Sequence, residues 1–184
     1  MQIRLKYKTT LILLLLTISL YGNENWNFVQ PADSGGINVK DFGVKGDGVT
    51  DDTEAIRKLI SENINKSRYR CNPFIYFPEG VYLVSGPIES RSGDPEKIAK
   101  GKEWSAGWRS FLTLVGQSRT KTIIKLKDNA KGYEDSKKKK WVVATGSESD
   151  KKTNFHGGGN RAFRHGVYNL TVDVGLNNPG AIGI

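Results

Sequence analysis

The feature that most constrains the fold is the imbalance between strand-like and helix-like segments. Short apolar or alternating runs recur along the chain, most of them bounded by Gly, Pro, Asn or Asp, as is typical of strands joined by turns. The runs read INVKDF, PFIYFP, GVYLVS, SFLTLVG, TIIKL, WVVATG and VYNLTVDVG. With 21 glycines among 184 residues, the chain is rich in turn formers and long enough for one domain. The pattern predicts an all-β fold made of many short strands.

A single segment has clear helical periodicity. From Glu54 to Asn65, apolar residues recur at spacings of three and four, and charged residues take the opposite face. Asp51 lies three residues before Glu54, which predicts a capping box in which the aspartate accepts a backbone N–H and the glutamate reaches back. The preceding FGVKGDG contains three glycines, and glycine tolerates positive φ. We therefore predict a sharp loop that turns a short strand directly into this helix.

The N-terminus has the pattern of a secretory signal peptide. Three cations precede the apolar run Leu11 to Leu16, and small or polar residues follow. This run is too short to cross a bilayer of ~30 Å, and no long hydrophobic stretch or stop-transfer pattern follows it, which argues against the alternative of an uncleaved membrane anchor. We predict a signal peptide at residues 1–22, a leader strand or linker at 23–36 and one folded domain at 37–184. The protein is expected to be secreted or periplasmic.

Charge and cysteine content narrow the classes of partner. The net charge is +9, and removal of residues 1–22 deletes three cations and no anions, which leaves +6. This mild basicity suits a polyanion such as an acidic polysaccharide, while export argues against a nucleic-acid role. The single cysteine, Cys71, has no partner for an internal disulfide, and we expect it to be buried and inert because a strand follows it.

The helix and its preceding loop carry a family resemblance. DFGVKGDGVTDDTEAI resembles the entry motif of pectate-lyase-like right-handed parallel β-helix proteins, which include polygalacturonases, rhamnogalacturonases, exo-β-1,3-glucanases and phage tailspikes. The likeness continues in IYFPEGVYLVSGPI, LVGQSRTKTIIKL and VYNLTVDVG, so it extends from Ile37 to the end of the chain. It implies a pectin-lyase-like solenoid in which the helix is the N-terminal cap. In such a solenoid, the strands of each coil pair with those of the next coil, which covers the otherwise unpaired strand edges.

The resemblance also implies a function. It predicts a secreted carbohydrate-active protein that degrades a polysaccharide, as a glycoside hydrolase or as a polysaccharide lyase, with calcium as a cofactor in the second case. The alternative is a non-catalytic carbohydrate-binding or structural β-helix, similar to an adhesin or a tailspike. The polygalacturonase motifs, an Asn-Thr-Asp, an Asp pair, a Gly-His-Gly and an Arg-Ile-Lys, do not occur together as a set, so no catalytic residue is assigned. No metal ligand is assigned from the sequence and no cofactor other than that calcium is evident, and we expect this segment alone to be inactive.

Asp173 is the nearest approach to a catalytic residue. In NLTVDVG, strand alternation turns the aliphatic residues inward and places Asn169, Thr171 and Asp173 in a polar row on the outer face. A sugar-binding groove needs such a row, but any solvated strand face has one too. Glycoside hydrolysis normally uses two carboxylates ~5 to 9.5 Å apart, and the sequence does not pair Asp173 with a second one.

Other conspicuous residues have simpler interpretations. The HGGGN run resembles an esterase oxyanion loop but lacks a Gly-x-Ser-x-Gly elbow, so we interpret it as a flexible loop. His165 has no Ser or Cys partner and is expected to be structural. Lys137–Lys140 is expected to be a solvated loop rather than a grip on an anionic glycan. Trp104 and Trp108 are candidates either for stacking on sugars or for anchoring a long loop.

The last residues, NNPGAIGI, read as a turn followed by the start of a strand. A chain that stops within a coil exposes unpaired backbone groups. We therefore expect an incomplete solenoid, the N-terminal portion of a longer β-helix. Further coils or an oligomer partner are expected to cover that edge.

Overall fold

The computed structural model describes residues 26–63, 73–88, 113–143 and 166–184. This part of the chain contains ten short strands, a 3-10 helix at Val39–Phe42 and one α-helix, α1, at Thr53–Asn63. The strands are β1 Ile37–Asn38, β2 Asp47–Asp51, β3 Ile75–Phe77, β4 Gly80–Val84, β5 Thr113–Gly116, β6 Thr122–Leu126, β7 Lys140–Trp141, β8 Gly166–Tyr168, β9 Thr171–Asp173 and β10 Ala181–Ile182.

The strands form parallel sheets whose order follows the chain. Sheet A has the order β1, β3, β5, β8, and sheet B has the order β2, β4, β6, β9. Every pair in both sheets is parallel. One strand of sheet A and the following strand of sheet B therefore make two sides of a coil. The described part contains four such coils stacked on one another, which we number in chain order: coil one has β1 and β2, coil two β3 and β4, coil three β5 and β6, and coil four β8 and β9.

A third side closes the coils. Strand β10 pairs in parallel with β7, and an isolated parallel bridge joins Ile88 to Val143. The Ile88 N–H donates to the Val142 carbonyl at 2.7 Å, and the Val142 N–H donates to the Ile182 carbonyl at 2.7 Å. Coils two, three and four are thus hydrogen-bonded on this side as well. For the described residues, the prediction of a mostly β fold with parallel sheets and one α-helix is confirmed.

Alternation along each strand fills the interior of the coils. In sheet A the register aligns Ile37, Ile75, Leu114 and Val167 in one row, and all four belong to the core cluster or pack against it. In sheet B the inward positions of β6, Ile124 and Leu126, are completely buried. Stacking equivalent apolar positions of successive coils produces one continuous core, because each coil alone is too thin to exclude water.

Helix α1 buries its predicted apolar stripe. Ile56, Leu59 and Ile60 are at most 1% exposed and belong to the same core cluster as the strands. The guanidinium of Arg57 donates to the Pro87 carbonyl at 2.9 and 2.8 Å, which ties the helix to coil two. The helix begins at Thr53, one residue before the predicted start.

The predicted capping box is wrong. The Asp51 carboxylate accepts the Thr53 N–H at 3.1 Å, two residues away rather than three. Glu54 does not reach back, because its carboxylate forms an ion pair with Arg57 at 2.8 Å. The backbone N–H of Asp52, the residue before the helix, donates instead to the Leu83 carbonyl at 2.8 Å.

The prediction that the glycine loop leads directly into the helix is wrong. The run INVKDF is a strand only at Ile37–Asn38 and continues as the 3-10 helix. Gly43, Gly46 and Gly48 have φ values of 80°, 58° and 77°, so the positive-φ prediction is confirmed. Between loop and helix, however, lies β2, which pairs with β4 and carries a register irregularity. The DGVTD segment has too few apolar residues to be recognised as a strand, and neighbouring backbone alone makes it one.

Residues 26–36, predicted as leader strand or linker, pack against the outer side of the coils. Asn27 forms an antiparallel bridge with Ser118, and the Phe28 N–H donates to the Gln117 carbonyl at 2.7 Å. The Phe28 ring lies edge-on to Tyr76, with centroids 5.8 Å apart. We call residues 26–36 the strap. It holds coils two and three from outside.

Several predictions concern residues outside the described ranges, namely Cys71, Trp104, Trp108, the HGGGN loop, His165 and the signal peptide at 1–22. Within the described ranges, no helix is long and apolar enough to span a membrane. The cap role of α1, the incompleteness of the solenoid and the domain boundaries stay predictions.

Candidate functional site

The outer face of sheet B carries two register-aligned rows of side chains. The first row consists of Val81, Ile123 and Thr171, and the second consists of Asp51, Leu83, Lys125 and Asp173. Their alternate neighbours, such as Tyr82 and Ile124, point inward and are fully buried. The face is thus apolar on coil two and becomes polar towards coil four.

Lys125 is a cation in the second row that forms no ion pair with the other described residues. Its register neighbours are Leu83 on one side and Asp173 on the other. The Asp173 carboxylate accepts the Gly175 N–H at 2.9 Å. An ammonium group on an outward strand position, with a carboxylate beside it but no ion pair, can bind an anionic or hydroxyl-rich ligand.

The neighbouring cation, Lys127, is already neutralised. Its ammonium lies 3.0 Å from the Asp51 carboxylate, and this ion pair joins coil three to coil one. Burial alone would raise the pKa of Asp51, but hydrogen bonds from Thr53, Ser85 and Lys127 outweigh burial and hold the pKa well below its usual range. Asp51 is therefore ionised at neutral pH, and its role is structural.

A second carboxylate lies near Asp173. Asp128, which is exposed in the turn after β6, accepts the Leu176 N–H at 2.8 Å. The Asp173 carboxylate accepts the N–H of Gly175, the residue immediately before Leu176. Because adjacent amide nitrogens are joined by only three bonds, the two Oδ1 atoms lie within about 9.5 Å of each other. Asp128, on the adjacent coil, is therefore a carboxylate within about 9.5 Å of Asp173.

The predicted polar row on β9 is confirmed in part. Thr171 and Asp173 occupy outward register positions, while the aliphatic Leu170, Val172 and Val174 pack against the core. The Thr171 hydroxyl donates to the Arg119 carbonyl at 2.6 Å.

Asn169 is not part of that row, and the prediction of one continuous strand is wrong. The chain bends between β8 and β9, where Asn169 has a φ of 53°. Its side-chain amide donates to the carbonyls of Gly116 and Gln117 at 3.0 and 2.7 Å and to the Trp26 carbonyl at 3.0 Å. Alternation does not continue through a bend, so this amide holds backbone instead of facing solvent.

Sequence reasoning missed Lys125 and Asp128. Lys125 carries a recognisable signal, since it is the one charged residue in the mostly apolar run TIIKL. Asp128 carries no such signal, because Asp is a common residue in turns such as Asp128-Asn129-Ala130. Its proximity to Asp173 depends on how two coils stack.

The run Lys137–Lys140 lies within the described residues. Lys137–Lys140 is exposed. Lys138 lies 3.9 Å from Asp135, and the Lys140 ammonium lies over the Tyr133 ring, 5.3 Å from its centroid. Among the described residues, no group of three or more His, Cys, Asp or Glu side chains is placed to hold a metal ion. Calcium binding stays a prediction.

The stacked coils and the continuous core define a parallel β-helix protein. The chain belongs to the family described as rhamnogalacturonase A/epimerase, pectate lyase-like, whose model matches residues 36–184.

Relatives have several activities in their names. Alginate lyase 7 of Azotobacter vinelandii is 31% identical over 141 residues, which cover 77% of this chain and 13% of that protein. A probable glucan endo-1,3-beta-glucosidase of Arthroderma benhamiae is 28% identical over 157 residues, which cover 79% and 15%. The mannuronan C5-epimerase AlgE5 of Azotobacter vinelandii is 38% identical over 92 residues, which cover 50% and 8%. The chain therefore spans less than a sixth of each of these relatives.

Two solved structures are similar to this chain at lower sequence identity than these relatives. The A-module of the Azotobacter vinelandii mannuronan C-5 epimerase AlgE6 matches with 25% identity and a TM-score of 0.45, covering 79% of this chain and 30% of that one. ORF18 of Geobacillus virus E2 matches with 24% identity and a TM-score of 0.47, covering 81% and 22%.

Proposed function

We propose that this protein is an exported polysaccharide-degrading β-helix protein, a glycoside hydrolase or a polysaccharide lyase, that contacts its substrate through the outer face of sheet B. The observation that carries the proposal is Lys125, which lies between Leu83 and Asp173 on an outward row and forms no ion pair within the described part of the chain. Membership of the family and the names of the relatives support a carbohydrate substrate. This chain spans only 13% of the alginate lyase. We therefore propose the degrading activity for the whole protein and not for this segment alone.

The order of side chains along the second row suits a sugar chain that lies along the stack of coils. Successive positions are separated by the ~4.8 Å spacing between strands. The aliphatic Leu83 would contact the apolar face of a sugar ring, and Lys125 would pair with a carboxylate or hydroxyl. Asp173 and Asp128 would accept hydroxyls. Their separation of at most about 9.5 Å does not exceed the upper limit of the range used by paired catalytic carboxylates.

The proposal is tested with the whole protein on pectin, rhamnogalacturonan, alginate and β-1,3-glucan. We expect reducing ends or unsaturated sugars to be released from at least one of them. Lys125→Met is expected to raise KM several-fold, since it removes a binding contact. Lys121→Met is the matched control, because this lysine of the same coil already pairs with Glu79 at 3.4 Å. No product from any of the four polysaccharides would contradict the proposal.

A second candidate, a binding or structural β-helix, is favoured by one observation. Asp128 and Asp173 each give an oxygen to a backbone N–H of the same turn, which is a role in holding structure. If the wild-type protein binds a glycan without releasing product, and Asp173→Asn lowers the melting temperature but leaves glycan binding unchanged, the scaffold interpretation is correct.

Two further parts of the proposal concern the N-terminal region. We infer that residues 1–22 direct export and that α1 covers the open end of the first coil. The second inference is supported by the burial of Ile56, Leu59 and Ile60 in the same cluster as Val39 of the first coil. Calcium would enter only if the reaction is β-elimination.

A further inference from the structure

The outer face of sheet A presents a row of its own. The register aligns Tyr76, Val115 and Tyr168 on coils two, three and four. Tyr76 is only 3% exposed, because the strap covers it. Phe28 packs edge-on against its ring, and the Tyr76 hydroxyl donates to the Phe28 carbonyl at 2.9 Å. Tyr168, at the other end of the same row, is 60% exposed.

The ring of Tyr168 lies on the backbone of its own strand. A Cβ atom added at Gly166 would lie 2.2 Å from Cε2 and 2.9 Å from Cζ of the Tyr168 ring. Any side chain at position 166 would therefore displace the ring. Residues two apart on a strand share a face, so the absence of a side chain at Gly166 lets the ring lie over the strand while Tyr168 remains 60% exposed.

A second exposed aromatic residue is held beside Tyr168. Trp26, at the start of the strap, is 75% exposed. The side-chain amide of Asn169, the residue next to Tyr168, donates to the Trp26 carbonyl at 3.0 Å. The following strap residues are fixed as well, since Asn27 bridges to Ser118. The strap therefore brings Trp26 to the same coil as Tyr168.

We propose that Trp26 and Tyr168 form a stacking platform for the sugar rings of a polysaccharide, on a face separate from sheet B. The C–H face of a sugar ring and an open aromatic face both gain by leaving water. A protein partner fits less well, because two isolated rings are far smaller than the ~800 Å² per partner that a standard interface buries. The carbohydrate class of this ligand rests on the proposed function, whereas the position of the platform does not.

The platform is tested by binding of the whole protein to soluble β-1,3-glucan and to alginate, measured by affinity electrophoresis and calorimetry. We expect Tyr168→Ala and Trp26→Ala each to weaken binding roughly three- to tenfold, and Tyr168→Phe to change it less than about twofold, because stacking needs the ring and not the hydroxyl. Gly166→Ala keeps the tyrosine but lifts its ring, so it should weaken binding about as much as Tyr168→Ala. Val49→Ala is the control, since Val49 is an 81% exposed residue of coil one.

The outcomes separate this inference from the proposed function. If Lys125→Met weakens binding and the aromatic variants do not, the platform is wrong and the sheet B face stands. If the aromatic variants weaken binding and Lys125→Met leaves both binding and KM unchanged, the platform stands and the sheet B face is wrong. Equal loss with Tyr168→Phe and Tyr168→Ala, or wild-type binding to neither glycan, would also overturn the platform. Unchanged melting temperatures show that the variants are folded.

Discussion

Asp52 is the residue whose replacement tests the architecture most directly. It is 1% exposed, and its two carboxylate oxygens accept the backbone N–H groups of Lys45 and Gly46 at 2.7 and 2.8 Å. Its own N–H donates to Leu83, and its carbonyl accepts the Ile56 N–H at 2.9 Å. One buried aspartate therefore joins the glycine loop, sheet B and the first turn of α1.

The magnitude follows from these contacts. A hydrogen bond to a charged group contributes about 1.5–3 kcal/mol, and an unsatisfied donor adds to the loss. Asp52→Asn keeps one oxygen but turns an amide N–H₂ towards a backbone donor, so the free energy of unfolding should fall by about 2–3 kcal/mol. A domain of this size loses about 2–4 °C per kcal/mol, which predicts a melting temperature roughly 5–10 °C lower.

Thermal unfolding at neutral pH, followed by circular dichroism, measures this change. Asp47→Asn is the matched control, because the Asp47 carboxylate also accepts two backbone N–H groups, those of Val49 and Thr50, at 2.9 and 2.7 Å, but lies exposed at the surface. Its replacement should lower the melting temperature much less. The reasoning is refuted if Asp52→Asn melts with the wild type, or if the two variants lose the same amount.

Two other predictions concern the same framework. Asn169→Gly retains the positive φ but removes three bonds to carbonyls, so the strap should become more sensitive to limited proteolysis near Trp26; unchanged cleavage would exclude that role. Hydrogen bonds from Thr50 and Val49 lower the pKa of Asp47 from 3.8 to about 2, and the pKa of Asp51 is lowered too. Depressed pKa values mean that the unfolded state binds more protons at low pH, so this stability is present above about pH 4 and is lost as the pH falls towards 2. Urea titrations from pH 5 to pH 2 should show that loss, and a flat profile would contradict it.

Local features were predictable where the signal is local. The strand TIIKL corresponds to β6, Thr122–Leu126, because its alternation and flanking turns need no other part of the chain. The helix stripe and the positive φ values of the glycine loop follow from the same kind of rule. By contrast, β2 was missed because DGVTD has little apolar character, and only pairing with β4 makes it a strand.

The candidate site was predictable only as single residues. Alternation placed Thr171 and Asp173 outward, but the residues that give Asp173 its surroundings, Lys125 and Asp128, lie 48 and 45 positions earlier in the chain. The length of each coil, including the segments between its strands, decides which residues become neighbours. No local pattern encodes that length.

The sequence alone determined that this protein consists of many short strands and one amphipathic helix, because turn residues and hydrophobic periods act over a few positions. The stacking of those strands into coils was implied only by the family resemblance. Only the tertiary structure decided which side chains meet: Lys125 beside Asp173, the strap over Tyr76 and the open ring of Tyr168. Those neighbours are set by backbone hydrogen bonds between coils, and backbone groups are the same at every position, so the register they choose cannot be read from side chains one segment at a time.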